Sequence, residues 1–478
     1  MLKFKNIFLA TTMTALLSSC GNEFMELEPH QQIGDAIAIH KIEDIKTALS
    51  GAYYWMGHYG FNGRNLTAIG DVATDNVYST ESTSHLSSIY NYTFQPTTGD
   101  LKDVWEVGYK VIDHSARIIK SANKLLKTAP TKADSATIWQ GLSQAYALRG
   151  YATFALTNLF SMPYTQANLQ TPGVVLVEEP VQPFQKVTRA SLEDTYAYIL
   201  EQFENAAVNA ARSPEITNKQ FYLNAEAIEA MKARVYLYMG DFEKAKQYAQ
   251  SAIDKRKGAM VTTVDAYNEM FNKLSGSSED IFTIAKANDD NLSAYSLNTL
   301  YVNYGFEISS DLRGLYADTD IRKQKLTGFV LDEDGKEDYY AGGKYAETVT
   351  NVPVIRLPEM YLIIAECEAE AGNTAEAAKA LLNVAKRNTA ITTVAHLPNE
   401  ANALKAFIAE ERRRELFQEG HRLYDARRRG ETLTLDSRKL ILNKGLFLYP
   451  IPAAEINTGM GVTQNQNWLD FLPTEIKR

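Results

Sequence analysis

Cysteine is almost missing from this chain: there are two, Cys20 and Cys367, in 478 residues. A disulfide-rich scaffold is therefore excluded, and a chain this long needs none to build a core. Positive charge is also short. The 49 Lys and Arg face 58 Asp and Glu, for a formal charge of −9. An acidic chain argues against nucleic acid, which is gripped by clustered Lys and Arg, and gives no reason to expect an acidic substrate. Long apolar runs are scarce too. The stretch Ile7 to Leu17 is too short to span a bilayer, and no other segment is long enough. Catalytic signatures are absent: no His-Glu-x-x-His, no Gly-x-Ser-x-Gly, no phosphate-binding glycine loop and no Cys/His metal spacing. No catalytic residue, metal ligand or cofactor is expected from these absences, although a paired-carboxylate glycosidase leaves no local motif to find.

The N-terminus carries information. Lys3 and Lys5, the apolar run to Leu17 and the small pair Ser18-Ser19 have the layout of a secretory signal. Cys20 follows directly and resembles the acylated cysteine of a bacterial lipobox. The expectation is a signal peptide over 1–19, a lipidated tether over 20–40, and a mature protein held to a membrane by several acyl chains. Losing Lys3 and Lys5 with the leader takes the charge from −9 to −11. Cys367 would then stand alone, in an apolar-periodic helix, as a small buried hydrophobe.

Helical periodicity dominates the body of the chain. Helices are predicted over Ile42 to Tyr54, Trp105 to Leu126 and Ile138 to Phe160, with a glycine loop from His58 to Gly63 and an irregular polar excursion over 71–100. Two segments share one register. Ala227, Ala230, Ala233 and Leu237 precede Gly240-Asp241, then Phe242, Ala245, Ala249 and Ala252. Leu362, Ala365 and Ala369 precede Gly372-Asn373, then Ala377, Leu381 and Val384. Small residues let two antiparallel helices approach and glycine closes the turn, as in tetratricopeptide repeats. The helical repeats are placed at about 138–256 and 358–428, with a loop-rich insertion at about 257–355, all within one domain over 41–478. Asp332-Glu333-Asp334-Gly335 between two alternating runs predicts a β-hairpin rather than a Ca²⁺ loop, because no ordered ligand series follows.

The densest signal is Glu411 to Arg428. Acid–base use of Glu411, Glu415 and His421 is one interpretation. A structural network of Glu411, Arg414, Glu415, Arg422 and Asp425, built on Arg–carboxylate pairing, is favoured. This run resembles the C-terminal hallmark of the SusD/RagB family of surface nutrient-binding lipoproteins, with Gln418 where that pattern has Phe-Glu-Gly. Ile355 to Leu362 with Ala365-Glu366, Pro450-Ile451-Pro452, Glu455-Ile456, Gln464-Asn465, Ala147 to Ala152 and the lipobox resemble the family as well. The resemblance implies a mostly α-helical SusD-like fold, with tetratricopeptide-like helix pairs as scaffold and a loop- and short-strand-rich insertion carrying the ligand site. It implies a non-enzymatic, lipid-anchored protein on the extracellular face of the outer membrane. Such a protein binds an oligosaccharide and delivers it to a SusC-like TonB-dependent transporter. A peptide-binding member, or a scaffold binding only proteins, is the alternative.

A saccharide binder needs aromatic faces for C–H surfaces and Asp, Asn or Arg for hydroxyls. Three stretches offer both. The first holds Trp55, Tyr59, Phe61 and Asn62. The second holds Asp75, Asn76, Tyr78, Tyr90 and Tyr92. The third holds Asn288, Tyr295, Tyr301, Asn303 and Tyr304. The residues selected from them as ligand contacts are Asp75, Asn76, Tyr78, Tyr301, Tyr304 and Trp55.

Overall fold

The computed structural model describes residues 39–80, 85–129, 131–217 and 219–476. Cys20, the leader before it and most of the predicted tether lie outside them. The chain opens with α1 (Ile42–Met56), which buries Ile45, Leu49, Ala52 and Met56 at helical spacing. The short, wholly buried α2 (Asn65–Val72) follows, then the strand β1 (Val77–Ser79). Two long helices, α3 (Gly99–Leu126) and α4 (Lys132–Phe160), pack on each other and on α1. Both start about two turns earlier than the apolar stripe predicts. For α4 the reason is a cap: the Thr131 side chain accepts from the Asp134 amide. The predicted excursion over 71–100 is only partly irregular, since β1 pairs antiparallel with a strand of the central insertion.

The two segments of shared register are helical hairpins. After α5 (Leu192–Ala210), Asn224 caps α6 (Ala225–Met239), Gly240 turns the chain at φ +76°, and Asp241 caps α7 (Phe242–Arg256). The central insertion contributes β2 (Asp280–Ile284), the short helix α8 (Leu297–Val302), β3 (Phe306–Ile308), β4 (Phe329–Leu331), β5 (Glu337–Tyr340) and β6 (Val352–Arg356). β1 pairs with β3, β2 with β6, and β4 with β5 as the predicted hairpin, in which the Asp332 carboxylate accepts from the turn amides of Asp334 and Lys336. The second hairpin is α9 (Leu357–Glu370) and α10 (Thr374–Ala385), turned at Gly372 with φ +81°. Its Leu362, Ala365, Ala377 and Leu381 form a cluster with Leu404 and Ile408 of α11 (Ala401–Glu415). Cys367 is buried in α9, and burial pushes its thiol up to about 12. The helix α12 (Arg422–Arg429) and the strands β7 (Leu433–Leu435) and β8 (Leu440–Leu442) close the fold. No helix among the described residues is long and apolar enough to cross a membrane.

Between the insertion and α11 lies a buried ionic network. The Glu415 carboxylate meets Arg322 at 3.1 Å, Arg356 at 2.9 Å and Arg387 at 2.9 Å, and every one of these side chains is at most 1% exposed. Arg356 also pairs with Glu279 and Glu419, Arg322 with Asp320 and Glu411, and Lys344 with Glu419. Glu411, Arg414, Glu415, Arg422 and Asp425 all take part in ion pairs. Burial alone would raise the Glu415 pKa, but Arg387, Arg356 and Arg322 override it and hold the carboxyl below its ordinary value. Glu366 behaves likewise: burial opposes ionisation, yet Arg428 and Arg429 bring it down to about 2.

Glu415→Gln leaves three buried guanidinium groups without their shared anion and is expected to cost about 3–5 kcal/mol of stability in urea unfolding. A loss below about 1 kcal/mol contradicts the network's role. The pH dependence has a definite sign. Carboxyls depressed in the fold stabilise it above the unfolded carboxylate pKa, and that contribution drains away as pH falls from about 4.5 towards about 2. Asp71 and Asp280, which burial pushes up to about 6, act in the opposite sense as pH rises through that value. The acid limb is therefore expected to be shallower in Glu366→Gln than in the parent chain, as read by unfolding midpoints at a series of pH values. Parallel limbs would contradict it.

Candidate ligand-binding platform

The glycine loop after α1 and the central insertion meet at the surface. Gly57 ends α1, and Gly63 sits so close to it that a Cβ would lie 2.3 Å from the Gly57 carbonyl oxygen. Lys286 Nζ donates to that same carbonyl at 2.7 Å and to Asp290 at 2.9 Å, which fastens the insertion to the loop. The consequence is a continuous row of rings. Trp55 and His58 have centroids 5.4 Å apart, His58 and Tyr59 4.3 Å, Tyr59 and Tyr295 4.5 Å with planes 30° apart, Tyr295 and His85 5.6 Å, and His85 and Tyr304 4.6 Å. Tyr54, 56% exposed, extends the row beyond Trp55, and Tyr295 is 45% exposed.

Arg64 supports the row from beneath. Its side chain is buried, and its guanidinium carbon lies 5.3 Å from the Tyr59 centroid and 5.2 Å from that of Tyr295. It is oriented by Asn65 at 2.8 Å and Asp100 at 3.7 Å, and it donates to His85 Nδ1 at 3.2 Å. His85 must then be neutral at that nitrogen, consistent with a pKa lowered first by burial and then by the Arg64 charge. His58 Nδ1 likewise accepts from the Gly60 amide, and burial with the nearby Lys110 and Lys286 charges lowers its pKa. Polar groups flank the rings. Asp103 approaches the Tyr59 hydroxyl, and Asn291 and Asn303 are exposed on the insertion. Lys110 holds its ammonium 4.4 Å from the Trp55 ring, at the mouth of a groove of about 400 Å³ running along α3.

Of the residues selected from sequence, Trp55 and Tyr304 lie in this row. The others do not. Tyr301 is 1% exposed, its ring facing Tyr345 and Phe417, so it belongs to the core and cannot stack on a ligand. Asn76 is 1% exposed; its amide donates to Asp71 and its carbonyl accepts from Arg413. The Asp75 carboxylate is held by Arg422 at 2.8 Å and Arg413 at 3.4 Å. Asn76 is thus taken up by Asp71 and Arg413, and the Asp75 carboxylate by Arg413 and Arg422, although Asp75 also lines the cavity that Tyr78 faces. Tyr78 is half-buried on β1, donates to Glu307, and faces a different cavity. Of the other ring-bearing candidates, Phe61, Tyr90 and Tyr92 are buried. His58, Arg64 and His85 were missed, since nothing in their local spacing signals that the fold gathers them; His58-Tyr59 preceding a glycine-ended turn was the one usable clue.

The chain was compared with known proteins. Residues 234–440 match the family model described as the SusD family, and residues 23–237 match one described as starch-binding associating with outer membrane. Two proteins of Formosa agariphila, SusD-like protein P38 and SusD-like protein P2, are 22% and 21% identical; the matches span 89% and 87% of this chain, and 92% and 90% of theirs. Among solved structures, a candidate sugar-binding protein of Bacteroides vulgatus superposes with a TM-score of 0.79 at 25% identity, covering 90% of this chain and 99% of that one. A SusD superfamily protein of Bacteroides thetaiotaomicron does so with a TM-score of 0.78 at 23% identity, covering 89% and 100%.

Tyr301→Ala is expected to cost about 3–5 kcal/mol of stability, as for other large buried aromatic side chains. Urea unfolding measures it, and a loss below about 1 kcal/mol would return Tyr301 to the list of surface rings.

Proposed function

Since the chain belongs to the SusD/RagB family, we propose that it captures an oligosaccharide on the row of rings from Trp55 to Tyr304. The observation that carries this is the stacked pair of half-buried Tyr59 and exposed Tyr295, backed by the buried Arg64. Sugar rings present apolar C–H faces that stack on such surfaces, and their hydroxyls need the flanking Asp and Asn groups. The sugar-binding description of the Bacteroides vulgatus relative supports the same class of ligand. The groups an acid–base mechanism would use, Glu411, Glu415 and His421, are buried, the glutamates in ion pairs, which favours binding without catalysis. Burial lowers the His421 pKa to about 4, so this imidazole stays neutral at physiological pH. The further reading is the family's: Cys20 carries lipid, the protein sits on the outer face of the outer membrane, and its cargo passes to a SusC-like TonB-dependent transporter. The family description that couples starch binding with the outer membrane supports it.

Affinity electrophoresis against a polysaccharide panel that includes starch tests the ligand class. The retained polysaccharide is then titrated calorimetrically as oligosaccharide. Tyr295→Ala and Tyr59→Ala should each lose about 1–3 kcal/mol of affinity, on the scale of stacking losses for nucleic-acid bases. Both variants binding like the parent would remove the row of rings from the site.

A further inference from the structure

A cavity larger than the groove beside Trp55 lies away from the rings. It encloses about 590 Å³ and lies between β1, β3, the β4–β5 hairpin and the segment after β7. Its walls mix ring faces with polar groups, the composition a sugar requires. Tyr78 comes from β1 and Phe329 from β4. Arg313 is fixed over Phe329 with its guanidinium carbon 4.8 Å from the centroid, and it is held there by a two-pronged pairing with Glu337. Arg438 at the opposite wall already donates to the carbonyls of Val72, Tyr90 and Thr74.

Two geometric facts connect this cavity to the rings. First, the antiparallel ladder of β1 with β3 places Val77 opposite Ile308 and Ser79 opposite Phe306, and the Thr80 amide donates to the Gly305 carbonyl as the ladder continues. Val77, Tyr78 and Ile308 line the cavity, while Tyr304, the last ring of the row, stands just beyond Gly305 at the other end. The separation is about three residues of strand, roughly 10 Å. Secondly, the cations in the cavity wall are occupied. Asp311 and Asp436 are exposed on that wall and make no ion pair among the described residues.

We propose that this cavity is a second subsite for the same saccharide chain, taking an uncharged sugar unit between Tyr78 and Phe329 while the preceding units lie on the rings. The inference rests on the platform reading above and adds two properties to it. The ligand is an oligosaccharide long enough to reach past Tyr304, and units bearing carboxylate or sulfate are disfavoured at its far end.

The test uses the mature full chain and oligosaccharides of increasing length made by partial hydrolysis of the polysaccharide retained in electrophoresis. In the parent protein the affinity should step up at least about fivefold at the length that spans both places, a gain on the scale of one stacking contact. Phe329→Ala removes the ring face, and Ser310→Trp fills the cavity from an exposed position on its wall. Both should erase the step and leave shorter oligomers bound as before. Tyr295→Ala should weaken every length. A parent protein with no step, or a step that survives in both variants, overturns the second subsite while leaving the platform intact. Loss of all saccharide binding in the parent, or an inert Tyr295→Ala, would instead bring down the platform and the subsite with it. An oligomer carrying uronates that gains the same step as its neutral counterpart overturns the uncharged assignment.

Discussion

One carboxylate holds the architecture together. Glu415 ends α11 and meets three arginines drawn from separate stretches: Arg322 and Arg356 from the insertion and Arg387 from the end of α10. Isolated buried charges are strongly unfavourable, so the four groups persist inside the protein only together, in one arrangement. That requirement fixes where the insertion sits against the helical hairpins. Glu419 repeats it for Lys344 and Arg356 four residues on. The arginine-rich run whose residues favoured a structural network is a clamp.

The clamp reaches the surface through its neighbours. Asp71 accepts from the amides of Gln418 and Gly420, and Asp75 is held by Arg413 and Arg422. These contacts place the end of α2 and the start of β1. β1 then pairs with β3, which carries Tyr304 towards the rings, and Lys286 ties the other arm of the insertion to the Gly57 loop. The rings therefore rest on loops whose positions are set by buried ion pairs. Such a surface is preorganised, and little conformational freedom is left to lose when a ligand arrives. Arg64 adds to this by filling the space under Tyr59 and Tyr295.

The sequence was informative wherever the signal was local. Gly240 and Gly372, with alanine stripes on both sides, mark helical hairpins because a helix writes its buried face at intervals of three and four. The Asp332–Gly335 turn and the arginine network were visible for the same reason. The row of rings was legible only in part: Trp55 and Tyr304 were selected, while Tyr59 and Tyr295 were named but not selected. Tyr295 and Tyr301 are six residues apart in one polar, irregular stretch, yet one is 45% exposed and the other 1%. Which of them faces outward is decided by Tyr345 and Phe417 on one side and Tyr59 on the other, and no periodicity encodes those partners. Asp75 and Asn76 looked like free polar groups, because the arginines that engage them come from more than three hundred residues further along the chain.

A crystal structure of the protein soaked with the saccharide that it retains tests the central claim most directly. The account predicts sugar density stacked on the exposed ring of Tyr295 beside Tyr59 and running towards Tyr304. Well-defined sugar elsewhere on the molecule, with those rings bare, would contradict it.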